Sequence, residues 1–244
     1  MIKTEIGTSE KKTNSSAPES SARLAERLTH KIRNPLSIIT TAASQLDFSV
    51  GRVITEDDLY FNRVILDAAE NLDEILARYM LYAAPSPPNK IENDINEICL
   101  REFQSVTSSL EDKVNNIMMR YRNLTPLPMI CCDGEMIKLI FREILLNSIQ
   151  ELKGEEDGEI IASTDFDGDA AIIRIEDNGN GVFNEQYAEI LLPFITHRSG
   201  GTGLGLAAAK SLIDLHAGSI EISPKSDGGT IVSVRILKSD NGEY

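Results

Sequence analysis

The chain has 244 residues, of which 41% are hydrophobic and 25% charged, values that are typical of globular proteins and allow one large or two modest domains. The formal net charge of −14 argues against a nucleic-acid partner, because binding to polyphosphate requires clustered lysine and arginine. No stretch is apolar enough to predict a membrane span, and the N-terminus has no apolar signal segment. Cys99, Cys131 and Cys132 lack metal-site spacing, which favours reduced thiols in a cytoplasmic protein.

The N-terminal third has the pattern of a helical hairpin. Residues 1–20 are rich in Ser, Thr, Lys and Glu, and we expect them to be disordered. Apolar residues then recur every three or four positions over residues 24–46 and 59–79, as on one face of a helix. We expect a loop at residues 47–58, and Pro35 should bend the first helix. A lone hairpin leaves its apolar stripe uncovered, which predicts a four-helix bundle in a homodimer.

A proline-rich linker divides the chain into two domains. Residues 85–89 read Pro-Ser-Pro-Pro-Asn, which favours neither a helix nor a strand. The hairpin is therefore expected to occupy residues 21–84 and the second domain residues 90–239, followed by a disordered tail at residues 240–244.

The second domain mixes helical and strand patterns. Helices are expected at residues 94–110, 133–153, 185–192 and 207–216. Strands are expected at residues 116–122, 129–132, 158–165, 170–176, 219–223 and 230–237. Asp133 can cap the second of these helices, and turns at 167–169 and 227–229 pair the later strands. This order predicts an α+β layer sandwich with helices over one face of a mixed sheet.

Three segments of this domain carry residues suited to a nucleotide. Glu143 and Asn147 share a helix face, where Asn147 is either a satisfied core amide or a ligand of a metal–phosphate group. Residues 177–181 read Asp-Asn-Gly-Asn-Gly after an apolar strand and form either a turn or a pocket floor that admits a flat ring. Residues 200–206 read Gly-Gly-Thr-Gly-Leu-Gly-Leu and open a helix, so their N–H groups suit a phosphate, although such turns are common.

The order of these segments resembles that of the GHKL ATPases, the superfamily of gyrase, the heat-shock chaperone, histidine kinases and MutL. The resemblance covers residues 89–238 and implies a Bergerat-type fold that binds ATP and Mg²⁺. It implies that Asn147 coordinates Mg²⁺ and that Asp177 accepts a hydrogen bond from the adenine amino group, with Gly179 and Gly181 making room for the base. The residues implied to hold the phosphates through their N–H groups are Gly201, Thr202, Gly203, Leu204 and Gly205.

The first domain resembles the phosphoacceptor region of sensor histidine kinases. Residues 28–36 read Leu-Thr-His-Lys-Ile-Arg-Asn-Pro-Leu and look like the H-box, with His30 as the phosphoacceptor. Residues 193–198 are similar to the short ATP lid of nitrogen-regulation-type kinases, in which Arg198 either contacts the γ-phosphate or is a solvated cation. The resemblance implies a dimeric kinase that phosphorylates His30 and passes the group to an aspartate of a response regulator. Residues 1–20 hold no recognisable sensor, so the signal comes from a partner protein or from further parts of a longer chain.

Two positions depart from the family pattern. Lys31 stands where the family carries an acid that contacts the histidine ring, and lysine has no acceptor. We therefore expect slow or absent autophosphorylation, which Lys31→Glu should raise if the missing acid is the only defect. The alternative function is a nucleotide-binding docking or phosphatase module. Glu143 stands where many histidine kinases carry Asn. It either acts as a general base or has no role in catalysis.

Asn34 lies one turn after His30 and matches the family. An amide there either orients water against the aspartyl phosphate of the partner or merely adapts the chain to Pro35. The first interpretation predicts that phosphatase activity survives better than kinase activity.

Overall fold

The computed structural model describes residues 21–46, 53–110, 116–181, 187, 189–196, 201–226 and 228–238. The expectations for residues 1–20, for residues 240–244 and for Arg198 lie outside these ranges. No helix within them is long and apolar enough to cross a membrane.

Two long helices form the N-terminal hairpin, as the sequence predicted. They are α1 (Ser21–Gln45), which continues through Pro35, and α2 (Glu56–Ala83). The predicted end of the loop at residue 58 was wrong, because a capping box starts α2 at Glu56. The Thr55 hydroxyl accepts the Asp58 N–H, and the Asp58 carboxylate accepts the Thr55 N–H, so both orphan donors are satisfied.

The second domain is α+β, as predicted. Its elements are β1 (Ile91–Asn93), α3 (Ile95–Ser109), β2 (Ile117–Asn123), β3 (Ile130–Cys132), α4 (Gly134–Glu151), β4 (Gly158–Phe166), β5 (Ala170–Asp177), α5 (Gly205–Asp214), β6 (Ser219–Pro224) and β7 (Thr230–Leu237). The short β1, which pairs antiparallel with β3, was not predicted. The helix predicted at residues 185–192 lies largely outside the described residues, and the described Glu189–Leu192 segment forms a turn rather than a helix.

A five-stranded mixed sheet carries three helices on one face. The strand order is β2-β4-β5-β7-β6, in which β2 and β4 are parallel and the remaining pairs antiparallel. Helices α3, α4 and α5 cover the face that carries the buried side chains Ile160, Ile173 and Ile175, all at most 1% exposed. Full burial of one such side chain contributes about 1.5–3 kcal/mol, so α4, which packs between α3 and α5, is held firmly.

Two polar side chains fix the start of α4. The Asp133 carboxylate accepts the N–H groups of Glu135 and Met136, which confirms the predicted cap. His216 is 6% exposed, and its Nε2 accepts the Asp133 N–H at 3.0 Å while its Nδ1 donates to the Leu212 carbonyl at 2.9 Å. His216 therefore ties the end of α5 to the start of α4, a role that the sequence did not reveal.

Replacing His216 with Ala should lower the free energy of unfolding by about 1–3 kcal/mol, because the half-buried Asp133 N–H loses its acceptor. Urea denaturation followed by circular dichroism measures this loss. His216→Gln is the control, since its amide oxygen can still accept a hydrogen bond and the loss should be smaller. Equal stability of the Ala variant and the wild type would show that this hydrogen bond contributes nothing.

Candidate functional site

A cavity of about 280 Å³ lies where α4, the end of β5 and the start of α5 meet. Its lining combines residues from all three segments singled out in the sequence. The predicted residues that line it are Glu143, Asn147, Gly181, Gly201, Thr202, Gly203 and Gly205. The fold therefore gathers three segments, which together span residues 143–205 of the chain, around one space.

Asp177 and Gly179 lie beside this cavity but do not line it. Asp177 is 2% exposed, and its carboxylate accepts hydrogen bonds from the N–H groups of Gly179 and Thr230 and from the Ser148 hydroxyl, at 3.1–3.3 Å. Burial raises the pKa of Asp177, although these three donors act in the opposite direction. Sequence reasoning missed Ser148 and Thr230, and the one signal for Ser148 was a small polar residue within an apolar helix.

Residues 201–205, which we call the glycine loop, leave little room for a side chain at Gly203 and Gly205. Gly203 has φ +66°, and a Cβ there would lie 2.7 Å from the Ile195 carbonyl oxygen. A Cβ on Gly205, the first residue of α5, would lie 2.6 Å from a Glu143 oxygen. The loop thus packs tightly while its N–H groups stay near the cavity, the arrangement that a phosphate requires.

The side chain of Leu204 does not line the cavity, and it is fully buried against Ile75 and Phe194. Its N–H donates to the Thr202 hydroxyl at 3.3 Å. No side chain caps α5, so the helix presents its N-terminus to the cavity edge.

An ion pair from the hairpin closes one side of the cavity. Arg78 on α2 donates from Nε to both carboxylate oxygens of Glu143 at 3.0 Å and from Nη1 to Glu74 at 3.0 Å. Burial alone would lower the pKa of Arg78, but the two carboxylates outweigh it and raise the pKa. Glu143 is therefore held by a cation in this arrangement and is not a free general base. Sequence reasoning missed Arg78, because nothing in its helical pattern distinguishes it from a surface cation.

His30 and Asn34 lie together in a second cavity, of about 590 Å³, and not in the first one. Its lining residues are Arg23, Glu26, Arg27, His30, Lys31, Asn34 and Phe194. His30 and Asn34 are exposed. The sequence did not predict this separation, because it depends on how the hairpin docks on the second domain.

Phe194 anchors that docking. It is buried in a left-handed conformation, with φ +62°, and its ring stacks on Tyr79 of α2 at a centroid distance of 6.3 Å. Beside it, Lys31 donates from Nζ to the Gly201 carbonyl at 2.5 Å, and Arg27 donates to the Pro193 carbonyl at 3.4 Å. Helix α1, which carries His30, thus touches the glycine loop directly.

Comparison with known proteins places the second domain in a family. Residues 132–240 match the model described as histidine kinase-, DNA gyrase B-, and HSP90-like ATPase. Sporulation kinase D of Bacillus subtilis (strain 168) is 28% identical over 214 residues, which cover 87% of this chain and 41% of the relative. Sensory histidine kinase/phosphatase NtrB of Escherichia coli O157:H7 is 32% identical over 212 residues, which cover 82% of this chain and 58% of the relative. The chain is a sensor histidine kinase homologue.

Solved histidine kinases share the fold. Histidine kinase ThkA in complex with response regulator protein TrrA superposes with a TM-score of 0.70 at 22% identity, covering 89% of this chain and 61% of that one. ShkA in complex with AMPPNP superposes with a TM-score of 0.65 at 20% identity, covering 91% and 47%. These likenesses confirm the predicted Bergerat-type ATPase fold of the kinase homologue, which spans about half the length of its curated relatives.

The residues present fit a magnesium nucleotide. Within the described residues no group of three or more His, Cys, Asp and Glu side chains could hold a metal by itself. Mg²⁺ is usually held by one or two protein oxygens together with substrate phosphates, and the cavity offers the Asn147 amide beside the glycine loop.

Replacing Asp177 with Asn should stabilise the protein increasingly as the pH rises. A carboxyl with a raised pKa contributes stability at low pH that is lost as the pH climbs through the folded-state value. Asn removes that loss while its amide oxygen still accepts the N–H groups of Gly179 and Thr230. Urea denaturation at about pH 4 and about pH 7 measures the difference in the free energy of unfolding between variant and wild type.

Asp167→Asn is the control with the opposite sign. The N–H groups of Asp169 and Ala170 lower the pKa of Asp167, so its carboxylate stabilises the folded state at higher pH. This variant should lose stability relative to wild type as the pH rises. Parallel trends in the two variants would contradict the assignment of opposite pKa shifts.

Proposed function

We propose that this chain is the catalytic core of a two-component sensor histidine kinase. It transfers the γ-phosphoryl group of ATP to His30 and then to an aspartate of a response regulator receiver domain. The observation that carries the proposal is the contact between the glycine loop and the helix that exposes an H-box histidine, in a chain whose ATPase family is known. The names of its curated relatives, kinase and kinase/phosphatase, support the same reaction.

The nucleotide-binding roles follow from the residues around the first cavity. Asp177 accepts a hydrogen bond from the adenine amino group, and Gly179 and Gly181 leave room for the base. The N–H groups of the glycine loop hold the phosphates, and the Asn147 amide oxygen holds Mg²⁺, which neutralises phosphate charge when bound.

Phosphoryl transfer needs His30 to meet the γ-phosphate in line. A bond forms between an imidazole nitrogen and the γ-phosphorus while the phosphorus–oxygen bond to the β-phosphate breaks, and ADP leaves. Because His30 is exposed, water takes the ring proton. His30 and the nucleotide cavity are separate in this arrangement, so the hairpin shifts against Phe194 before the reaction.

The kinase is proposed to act as a homodimer in the cytoplasm. The hairpin exposes large apolar side chains that one chain leaves uncovered, namely Leu36, Ile38, Leu59, Tyr60, Leu66, Leu76 and Met80. A second copy that completes a four-helix bundle would bury them. The unpaired cysteines fit a reducing compartment, and an upstream sensory protein or a further domain supplies the signal.

Incubation with Mg-ATP labelled at the γ-phosphate tests the proposed reaction. The wild type should gain acid-labile label, whereas His30→Ala should gain none because it lacks the phosphoacceptor. Asn147→Ala should bind Mg-ATP at least tenfold more weakly and also remain unlabelled, since it loses the proposed metal contact. His216→Gln, which changes a histidine outside both cavities, is the labelling control.

Two results would overturn the kinase proposal. Label retained by His30→Ala would place the phosphoryl group on another residue. A wild type that binds ATP but stays unlabelled would favour the docking or phosphatase module, whose assay is loss of phosphate from a phosphorylated receiver domain.

A further inference from the structure

Lys31 is the residue whose chemistry the family pattern leaves unexplained. It follows the phosphoacceptor, where related kinases carry an acid, and it cannot accept the ring proton. In the structure its ammonium contacts the second domain instead. Nζ reaches the Gly201 carbonyl oxygen at 2.5 Å, and Gly201 lines the nucleotide cavity. A side chain on the hairpin therefore ends at the phosphate edge of the other domain.

In the part of the chain that the structure describes, the Lys31 ammonium is paired with a carbonyl rather than with a carboxylate. The side chain is half-buried, and burial lowers the pKa of Lys31. The ammonium contacts Gly201, four residues before the uncapped N-terminus of α5, which carries a partial positive charge. Both features favour an anion in the adjoining cavity.

We propose that Lys31 is a catalytic residue that binds the γ-phosphate of ATP during transfer to His30. The inference rests on the proposed kinase function and deepens it. The ammonium has three donors, so it can keep the Gly201 carbonyl and donate another N–H to a phosphoryl oxygen. It neutralises the charge on the transferred group, while the proton that the family's acid would accept goes from exposed His30 to water.

In this role Lys31 connects the two cavities. His30 and Lys31 are consecutive on α1, and both line the second cavity, while the Lys31 ammonium contacts a residue of the first. A phosphate held by Lys31 is therefore brought toward the neighbouring imidazole.

Measured nucleotide affinities distinguish binding of the γ-phosphate by Lys31 from a purely structural role. Isothermal titration with Mg-AMPPNP and Mg-ADP gives the preference for the γ-phosphate without relying on turnover. Lys31→Gln should weaken AMPPNP binding about tenfold and ADP binding much less, because the charge-assisted hydrogen bond goes to the terminal phosphate. Arg33→Gln, an exposed cation two residues away, is the control of equal charge loss and should leave both affinities unchanged.

Autophosphorylation variants give the second readout. Lys31→Gln should lower the single-turnover rate about a hundredfold, and Lys31→Arg should retain most of it. Lys31→Glu restores the family's acid but should be as slow as the Gln variant or slower, since it repels phosphate. A faster Lys31→Glu enzyme would overturn the proposal and show that the missing acid limits the rate.

The labelling experiment tests the kinase function and the binding experiment tests the role of Lys31, so either proposal can be refuted without the other. An unlabelled wild type whose preference for AMPPNP falls in Lys31→Gln would refute the kinase function and support phosphate binding by Lys31. A labelled wild type with the same preference in Lys31→Gln would refute the role of Lys31 and leave the kinase function standing.

Discussion

The ion pair between Arg78 and Glu143 is the constraint on which the relation between the two domains depends. It joins α2 to α4, and a Cβ on Gly205 at the start of α5 would lie 2.6 Å from a Glu143 oxygen, so a side chain there would displace the Glu143 carboxylate. Both side chains are nearly buried, so separating them would leave uncompensated charges, at a cost of about 3–5 kcal/mol if one partner were lost. The ion pair therefore couples the hairpin directly to the nucleotide cavity.

Apolar packing beside this pair holds helix α1 against the glycine loop. Phe194 adopts a backbone conformation that is strained for a non-glycine residue, at a cost of about 1–3 kcal/mol, and its burial against Tyr79 and Leu204 offsets that cost. The same docking keeps His30 out of the nucleotide cavity. The structure is thus a docked arrangement from which a kinase must move, and Lys31 already spans the gap between the two cavities.

Asp177 carries a buried carboxylate whose ionisation weakens the fold. Its carboxylate is buried and its pKa raised, so ionisation near neutral pH costs folding free energy. Three donors hold the group in place, and a Cβ on Gly229, whose φ is +98°, would lie 2.0 Å from the Asp177 carbonyl oxygen. A buried carboxylate whose ionisation costs folding free energy is typical of a residue that binds a ligand.

The sequence by itself determined the elements and the chemistry of the site. Helical periodicity marked α1 and α2, the Asp133 cap marked α4, and three glycine- and amide-bearing segments indicated a nucleotide, because these signals are local. Periodicity alone did not reveal β1, whose three residues are too short for a pattern, nor the start of α2, which a capping box sets. Only the tertiary structure decided that Arg78 pairs with Glu143, that His216 joins α4 to α5, and that Lys31 meets Gly201. These contacts join residues between 65 and 170 positions apart, and only the packing of separate elements determines which of many similar charges and glycines meet.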